Sequence, residues 1–371
     1  MDAGRRGGGQ VLSRHIVLTG GGTAGHIEPM LATAAALQRL EPGIGITCVG
    51  SAGGLETTLV PERGYDLEVV AAVPLPRKPS LDLVALPMRL RRARSQAKAI
   101  LKRVDAAAVV GFGGYAALPS YLAARSLKVP IVVHEANATP GIANKVGARW
   151  AAVIAQATPA SALPGGEVTG MPIRASIAAL DRAALRSEAR AHFGLRESDP
   201  TLLVYGGSQG AQRINEAILA AADRLHNAGI AVLHGFGRKN QVDAPAYSSG
   251  PRYVAWPYID RMDLAYAAAD FVLCRSGMGT VAEVSAVGLP AMYVPLPHGN
   301  GEQRRNAEPI VAAGGGLIVD NAALTGDLIA DELPPILTDP TRLAAMAAGA
   351  RAGGHAEAAD VLARRVLEVA R

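Results

Sequence analysis

Cysteine is nearly absent: Cys48 and Cys274 are the only two in 371 residues. They sit in separate apolar runs, ITCVG and FVLC, which predicts reduced, buried thiols in place of a disulfide, and no zinc-ligand spacing can be built from them. Long apolar runs are missing too. The longest weakly polar stretch, residues 106–124, is broken by Gly111, Gly113, Gly114 and Pro119, whereas a spanning helix needs ~20 mostly apolar residues. Residues 1–14, MDAGRRGGGQVLSR, lack the apolar core of a signal peptide and read as a loose tail, so export is not expected. The net charge of +5 is small; it can serve phosphates, anionic lipid or neither, and no nucleic-acid partner is expected.

What is present is an ordinary globular composition, 49% hydrophobic and 19% charged, with an unusual supply of glycine at 42 positions. The length exceeds what one hydrophobic core usually serves, which predicts two domains. Short apolar runs alternate with Ala-rich helical patterns: HIVLTG, IGITCVG, AAVVGFG and PIVVHE, then TLLVYG, IAVLHGFG, FVLCRSG and AMYVPL. Such alternation is the mark of parallel sheets with crossover helices. HIVLTGGGTAG and LLVYGGSQGAQ are each a strand, a Gly-rich turn and a helix start, so the halves are weakly alike. The fold class predicted is α/β, with two Rossmann-like domains facing across a cleft. The turn-forming TPASALPGG precedes GMPIR (170–174), and a long charged helix over roughly 181–193 follows. The expected division is a tail over 1–14, domains over 15–170 and 171–355, and a last helix over 356–371 returning to the first domain.

Each Gly-rich turn follows a strand, where open parallel sheets gather ligands. Gly20 to His26, GGGTAGH, contains G-x-G-x-x-G, and the first competitor is a nicotinamide oxidoreductase. That site also wants an acidic residue at the end of the next strand, and ITCVG runs into SAGG without one. The loop does supply backbone amides for a phosphate or sugar oxygen, with helix packing as the alternative reason for its glycines. His26 is the sharper residue, because an imidazole can take a proton from a sugar hydroxyl. GGSQGA (206–211) is a second such turn, with Ser208 and Gln209 as added donors around a diphosphate, and Arg174 is a candidate for the charge on a pyrophosphate leaving group. In CRSGMGTVAEV (274–284), Gly277 and Gly279 open a helix, and Glu283 is placed to accept from two ribose hydroxyls. Gln303 and Asn306, three apart, would share a helical face suited to sugar hydroxyls. No Asp-x-Asp pair occurs to anchor a metal-bound diphosphate, so no catalytic metal and no cofactor are expected, and amides with Arg174 must carry the leaving charge.

Between Leu81 and Arg94 the chain reads LDLVALPMRLRRAR. Leu81, Leu83, Val84, Leu86, Met88 and Leu90 lie beside Arg89, Arg91, Arg92 and Arg94, a pattern suited to a surface lying on anionic lipid. A core-facing helix with a solvated basic edge would give the same pattern.

In order, GGGTAGHIEP, GFGGYAALPS, HEANATPGIANK, GMPIR, GGSQGA, PYIDRM, CRSGMGTVAEV and PHGNGEQRRNA resemble the MurG family, glycosyltransferases of the B type that complete the peptidoglycan precursor lipid II. The likeness spans roughly residues 15–365. It implies transfer of N-acetylglucosamine from UDP-N-acetylglucosamine to the 4-hydroxyl of N-acetylmuramic acid on an undecaprenyl-diphosphate carrier, with inversion. It implies donor contacts from Thr23, Ala24, Gly25, Asn137, Arg174 and Ser208, and from the Ile259 backbone against uracil. Met278, Gly279, Thr280, Val281, Ala282 and Glu283 are implied around ribose and phosphates, and Gln303 at the sugar. His26 is the implied candidate general base, and Glu135, implied with the GFGGY loop on the acceptor side, is the second catalytic candidate and the alternative for that role. The resemblance further implies a peripheral protein at the cytoplasmic face of the cell membrane, with cell-wall and division proteins as partners. Two departures are visible: Ala24 stands where the family often has glycine, and Glu302–Gln303 where it often has paired glutamines. The competing readings are a UDP-N-acetylglucosamine 2-epimerase and a membrane-bound scaffold that keeps the pocket as a sensor.

Overall fold

A computed structural model describes residues 14–73, 82–207, 209–297 and 301–371. By contact these form two units. The first holds the described residues through His134, with Ile142–Ile154 and Ala363–Arg371; the second holds Glu135–Gly141 and Ala155–Leu362.

All eight apolar runs of the sequence form strands. The first sheet contains β1 (His15–Thr19), β2 (Gly45–Ser51), β3 (Asp66–Val70), β4 (Ala106–Gly111), β5 (Ile131–Glu135), β6 (Val153–Gln156) and β7 (Glu167–Val168), in the order 3-2-1-4-5-6-7. The second contains β8 (Thr201–Tyr205), β9 (Ala231–Gly235), β10 (Tyr253–Trp256), β11 (Phe271–Cys274), β12 (Ala291–Tyr293) and β13 (Gly316–Ile318), in the order 10-9-8-11-12-13. Numbered from its own first strand, the second order is again 3-2-1-4-5-6, the doubly wound arrangement. β1 pairs in parallel with β2 and β4, and β8 in parallel with β9 and β11. The strand order reverses between β1 and β4, and again between β8 and β11. At such a point the neighbouring crossovers depart to opposite faces and leave a crevice at the carboxyl ends of the strands.

The central strands are apolar throughout because helices cover both faces. Ile16, Val17 and Leu18 of β1, and Leu202, Leu203 and Val204 of β8, are fully buried. The helix Gln212–Asn227 turns Ile214, Ala217, Ile218, Ala221 and Leu225 inward, at the spacing of one helical face. The charged helix expected near 181–193 runs Arg182–Phe193; Asp181 caps it by accepting from the Ala184 N–H at 3.0 Å, and Gly194 ends it at φ +67°. Cys48 and Cys274 are free and fully buried, and burial pushes the Cys48 thiol up to about 12. Among the described residues no helix is long and apolar enough to cross a membrane.

Candidate active site

In the first unit, the loop after β1 and the loop after β4 meet at the first reversal of strand order. Gly113 and Gly114 adopt φ +96° and +81°, values that a side chain resists. A Cβ on Gly114 would lie 2.4 Å from the Gly21 carbonyl oxygen, and one on Gly113 would lie 3.2 Å from His26 Nε2. Gly113 and Gly114 of GFGGY are thus both needed for the two loops to touch. Thr23 caps the helix Ala24–Leu40 with extended backbone and no side-chain bond, and no acidic residue occupies the first turn. Thr23, Ala24 and Gly25 are exposed, while His26 is half-buried. Amides of this kind favour an anion at the helix start.

The imidazole of His26 is fixed from one side. Its Nδ1 lies 3.0 Å from the Gly21 carbonyl oxygen and 3.3 Å from Thr23 Oγ1. A carbonyl only accepts, so Nδ1 carries the proton and donates it to Gly21. In the neutral ring Nε2 is then the bare nitrogen, turned toward Gly113.

A carboxylate that sequence reasoning missed organises this loop. Glu56 is fully buried; it accepts from the Gly22 N–H at 3.0 Å and from the Ser51 N–H and hydroxyl at 2.9 Å each. Burial pushes its pKa up, but these bonds outweigh it and hold the carboxyl below its usual range.

The remaining predicted residues lie in the second unit. Glu135, at the end of β5, is 1% exposed and accepts from the Asn137 N–H at 2.8 Å, Asn137 Nδ2 at 3.1 Å and the Gly141 N–H at 3.0 Å. It ties down the loop 136–141, and Asn137 is one of the groups it ties.

Around the second reversal, the turn after β8 is as crowded as its glycines imply. A Cβ on Gly210, at φ +75°, would lie 2.1 Å from the Phe236 carbonyl oxygen. Ser208 lies outside the described residues. After β11, Gly277 caps the helix Met278–Ala286 with no side-chain bond and no acid in its first turn. Val281 is buried in the core, and Met278 and Ala282 pack on Ala136, Ala157 and Met171. For Met278, Val281 and Ala282, what the turn can offer a ligand is therefore backbone.

Glu283 is the charged centre of this unit. It accepts from Arg174 Nη2 at 3.0 Å and from the Tyr266 hydroxyl at 2.9 Å, and the Tyr266 and Tyr205 hydroxyls lie 2.9 Å apart. Burial first, then the charge of Glu283, push the Tyr266 phenol well above its ordinary value, so it stays a donor. A cavity of about 130 Å³ lies beside this group, lined by Tyr205, Gly207, Gly235, Gly237, Tyr258, Ile259 and Glu283 among others. The structure thus gathers Arg174, Ile259 and Glu283, and adds Tyr205 and Tyr266, which sequence reasoning missed. Gln303 Oε1 accepts from the Leu296 N–H at 2.9 Å, which leaves its amide nitrogen as the donor. Asn306 does not share Gln303's surroundings. It is 4% exposed and donates to the Ser276 carbonyl at 3.1 Å.

Residues 16–156 match the glycosyltransferase family 28 N-terminal domain, and residues 201–362 the family 28 C-terminal domain. The chain is 59% identical over 362 residues to the UDP-N-acetylglucosamine--N-acetylmuramyl-(pentapeptide) pyrophosphoryl-undecaprenol N-acetylglucosamine transferase of Nocardia farcinica, covering 96% of each chain. The protein of that name from Mycolicibacterium smegmatis is 60% identical over 362 residues, covering 96% of this chain and 94% of the relative. Among solved structures, Acinetobacter baumannii MurG aligns with a TM-score of 0.77 at 27% identity, covering 96% of this chain and 99% of that one.

Proposed function

Since the chain belongs to the MurG family of glycosyltransferases, we propose that it carries N-acetylglucosamine from UDP-N-acetylglucosamine to the 4-hydroxyl of N-acetylmuramic acid on undecaprenyl-diphosphate, converting lipid I to lipid II in peptidoglycan synthesis. Identity of 57–60% along almost the full length of relatives named for this transfer is the observation that carries it. The anomeric carbon is inverted. The acceptor's O4–H bond breaks as O4 bonds to C1; the bond from C1 to the UDP oxygen breaks, and the pair leaves with UDP. The functional division is drawn at Gly170, with residues 15–170 serving the acceptor and 171–355 the donor.

For the donor, the cavity beside Ile259 suits uracil, stacked and read by backbone, and Glu283 suits the two ribose hydroxyls. Tyr266 and Arg174 hold the carboxylate while leaving it acceptor capacity, since an ionised carboxylate has about four lone-pair sites. The amides of Met278, Gly279 and Thr280, at a helix start whose Gly277 cap has no side chain to occupy them, suit the departing diphosphate. Arg174 places one nitrogen on Glu283, and its guanidinium carries five N–H donors. Ser208 completes the donor set on the strength of the family likeness alone, as do contacts from Thr23, Ala24 and Gly25. The Gln303 amide nitrogen is the donor offered to the sugar.

His26 is the base: its Nε2 takes the O4 proton. Glu135 serves by holding Asn137 and the loop 136–141, because its oxygens already accept three N–H bonds.

The enzyme works peripherally at the cytoplasmic face of the membrane, where its lipid-linked acceptor resides, with cell-wall and division proteins as neighbours. The helix Asp82–Arg103 supports an anionic lipid surface. Ala93, Ala97, Ile100 and Leu101 face the core, whereas Met88 is 79% exposed among the exposed Arg89, Arg91, Arg92 and Arg94. Leu86 and Leu90 are half-buried; Leu81 and the side chains of Leu83 and Val84 lie outside the described residues. Changing the four arginines to glutamate is expected to abolish sedimentation with anionic vesicles, at about 1 kcal/mol per basic residue lost. Unchanged sedimentation would return the segment to a core helix with a solvated edge.

The test of the activity is label transfer from UDP-N-acetylglucosamine to lipid I or a short-chain analogue, with EDTA present and a control without acceptor. Acceptor-dependent label in the lipid is the expected result. Conversion of the donor to its 2-epimer would make the protein an epimerase, and donor binding with neither reaction would make it a sensor or scaffold.

A further inference from the structure

The Gly21–Gly22 peptide group has both ends engaged. Its carbonyl oxygen accepts from His26 Nδ1 at 3.0 Å, and its N–H donates to Glu56 Oε2 at 3.0 Å. The chain of bonds thus runs imidazole, peptide, carboxylate, with one planar amide between the charge and the ring. We propose that Glu56 is a positioning residue for the transfer reaction: acting through this single peptide group, it fixes the orientation and tautomer of His26. The inference rests on the reading of His26 as the base.

Three observations carry it. First, the carboxylate has a made-to-measure recess. A Cβ on Gly21 would lie 2.3 Å from Glu56 Oε1, one on Gly54 2.1 Å from Oε2, and one on Gly50 2.6 Å from its Cγ. Three glycines therefore make room for one buried charge. Second, the other oxygen is anchored by Ser51 through its N–H and its hydroxyl, so the carboxylate cannot swing away from the loop. Third, no side chain of its own two residues fixes this peptide. Gly21 and Gly22 carry no side chains to hold their plane, and Gly22 sits at φ +84°. An anion on the N–H strengthens the carbonyl as an acceptor, because hydrogen bonds in a chain polarise one another. A stronger acceptor keeps the proton on Nδ1 and the lone pair on Nε2, and it favours the imidazolium formed as O4 is deprotonated. The charged side chains nearby on the same elements, Glu28 beyond His26 and Arg63 at the end of Glu56's own helix, pair with each other at 3.4 Å.

Glu56→Gln tests this, since it keeps the shape but sets an amide N–H against a backbone N–H. On protein labelled with ¹⁵N-histidine, at a pH where the ring is neutral, the native His26 is expected to show Nδ1 protonated and Nε2 bare. Glu56→Gln is expected to give a mixture of tautomers. Its kcat should fall about 10–100-fold, the scale of losing a partner that orients an active imidazole, with the donor KM within about twofold. Ser51→Ala removes one anchoring donor and should shift both readouts less and in the same direction, which keeps the test alive if Glu56→Gln fails to fold. A folded Glu56→Gln protein with the native tautomer, or one whose donor KM rises while kcat holds, would overturn the proposal. The tautomer is read without turnover, so an inactive protein with the expected shift refutes the reaction and not the relay.

Discussion

His26→Ala is expected to lower kcat by about 10²–10⁴-fold, the range that general-base catalysis supplies, while the dissociation constant of UDP-N-acetylglucosamine stays within about twofold. The size follows from what the ring does. The acceptor hydroxyl is a weak nucleophile until its proton has somewhere to go, and Nε2 is the bare nitrogen of a ring whose other nitrogen is already bonded to Gly21. Donor binding is expected to hold because most of the proposed donor groups lie on the second unit around Glu283 and Ile259, and the backbone amides of Thr23, Ala24 and Gly25 remain when only the imidazole is removed. The two quantities separate base from ligand. Single-turnover transfer reports the first, and calorimetric titration with UDP-N-acetylglucosamine the second. Near-normal turnover in His26→Ala would move the role of base elsewhere. Glu135→Gln is the informative companion. With three N–H donors on the Glu135 carboxylate at the root of the loop 136–141, the protein should lose stability when one of them meets an amide instead, because a buried donor left unpaired costs roughly 1–3 kcal/mol. A lowered melting temperature with kcat preserved at permissive temperature is the expected pattern for a residue that holds Asn137.

The fold was legible where burial on both faces left an unbroken apolar run. HIVLTG, TLLVYG and their six counterparts became strands within three residues of their sequence limits. The strands that were not foreseen are those at or toward the sheet margins. β3 reads DLEVV with exposed Asp66 and Val69, β10 is half-buried along its length, and β13 keeps three residues after Gly315. A margin strand buries less, so its pattern fades into that of a loop. The Gly-rich turns were legible for a local reason, since a turn that brings backbone against backbone admits no Cβ. Gly114 against Gly21 and Gly210 against Phe236 are the cases in point.

The groups that hold the site in place were not legible. Glu56 lies 34 residues from Gly22 and Tyr266 lies 17 from Glu283, and no periodicity links either pair. Tyr266 sits in an apolar run, LAYAAADF, that gives no hint of its hydroxyl. Glu56 had one signal available: a carboxylate placed just after Gly50, Gly53 and Gly54, at the first position of a short helix. Asn306 teaches the converse. Spacing rightly set it three residues from Gln303, but spacing gives a face and not what the face meets; here it meets the carbonyl of Ser276.

Glu283→Ala is expected to weaken UDP-N-acetylglucosamine binding by at least about a hundredfold, with kcat at saturating donor changed far less. Hydrogen bonds to a charged group contribute about 1.5–3 kcal/mol each, and two ribose hydroxyls would be lost together. Part of that loss would come from a different source, since removing the carboxylate also breaks the Arg174 ion pair and takes away the acceptor of the Tyr266 hydroxyl. A donor lacking both ribose hydroxyls separates the two. If Glu283 holds the ribose, the substitution and the deoxygenation remove the same contact, and their combined effect is well short of the product of the two, with a coupling within the ~0.5–3 kcal/mol found for contacting groups. If Glu283 only braces Arg174 and Tyr266, the substitution weakens both donors by the same factor, and the ribose assignment fails. Tyr266→Phe completes the set. It removes one bond to Glu283 without touching the charge, and a loss of less than about tenfold, on the ~1.5 kcal/mol scale of one hydrogen bond, is the expected result of a residue that aims the carboxylate.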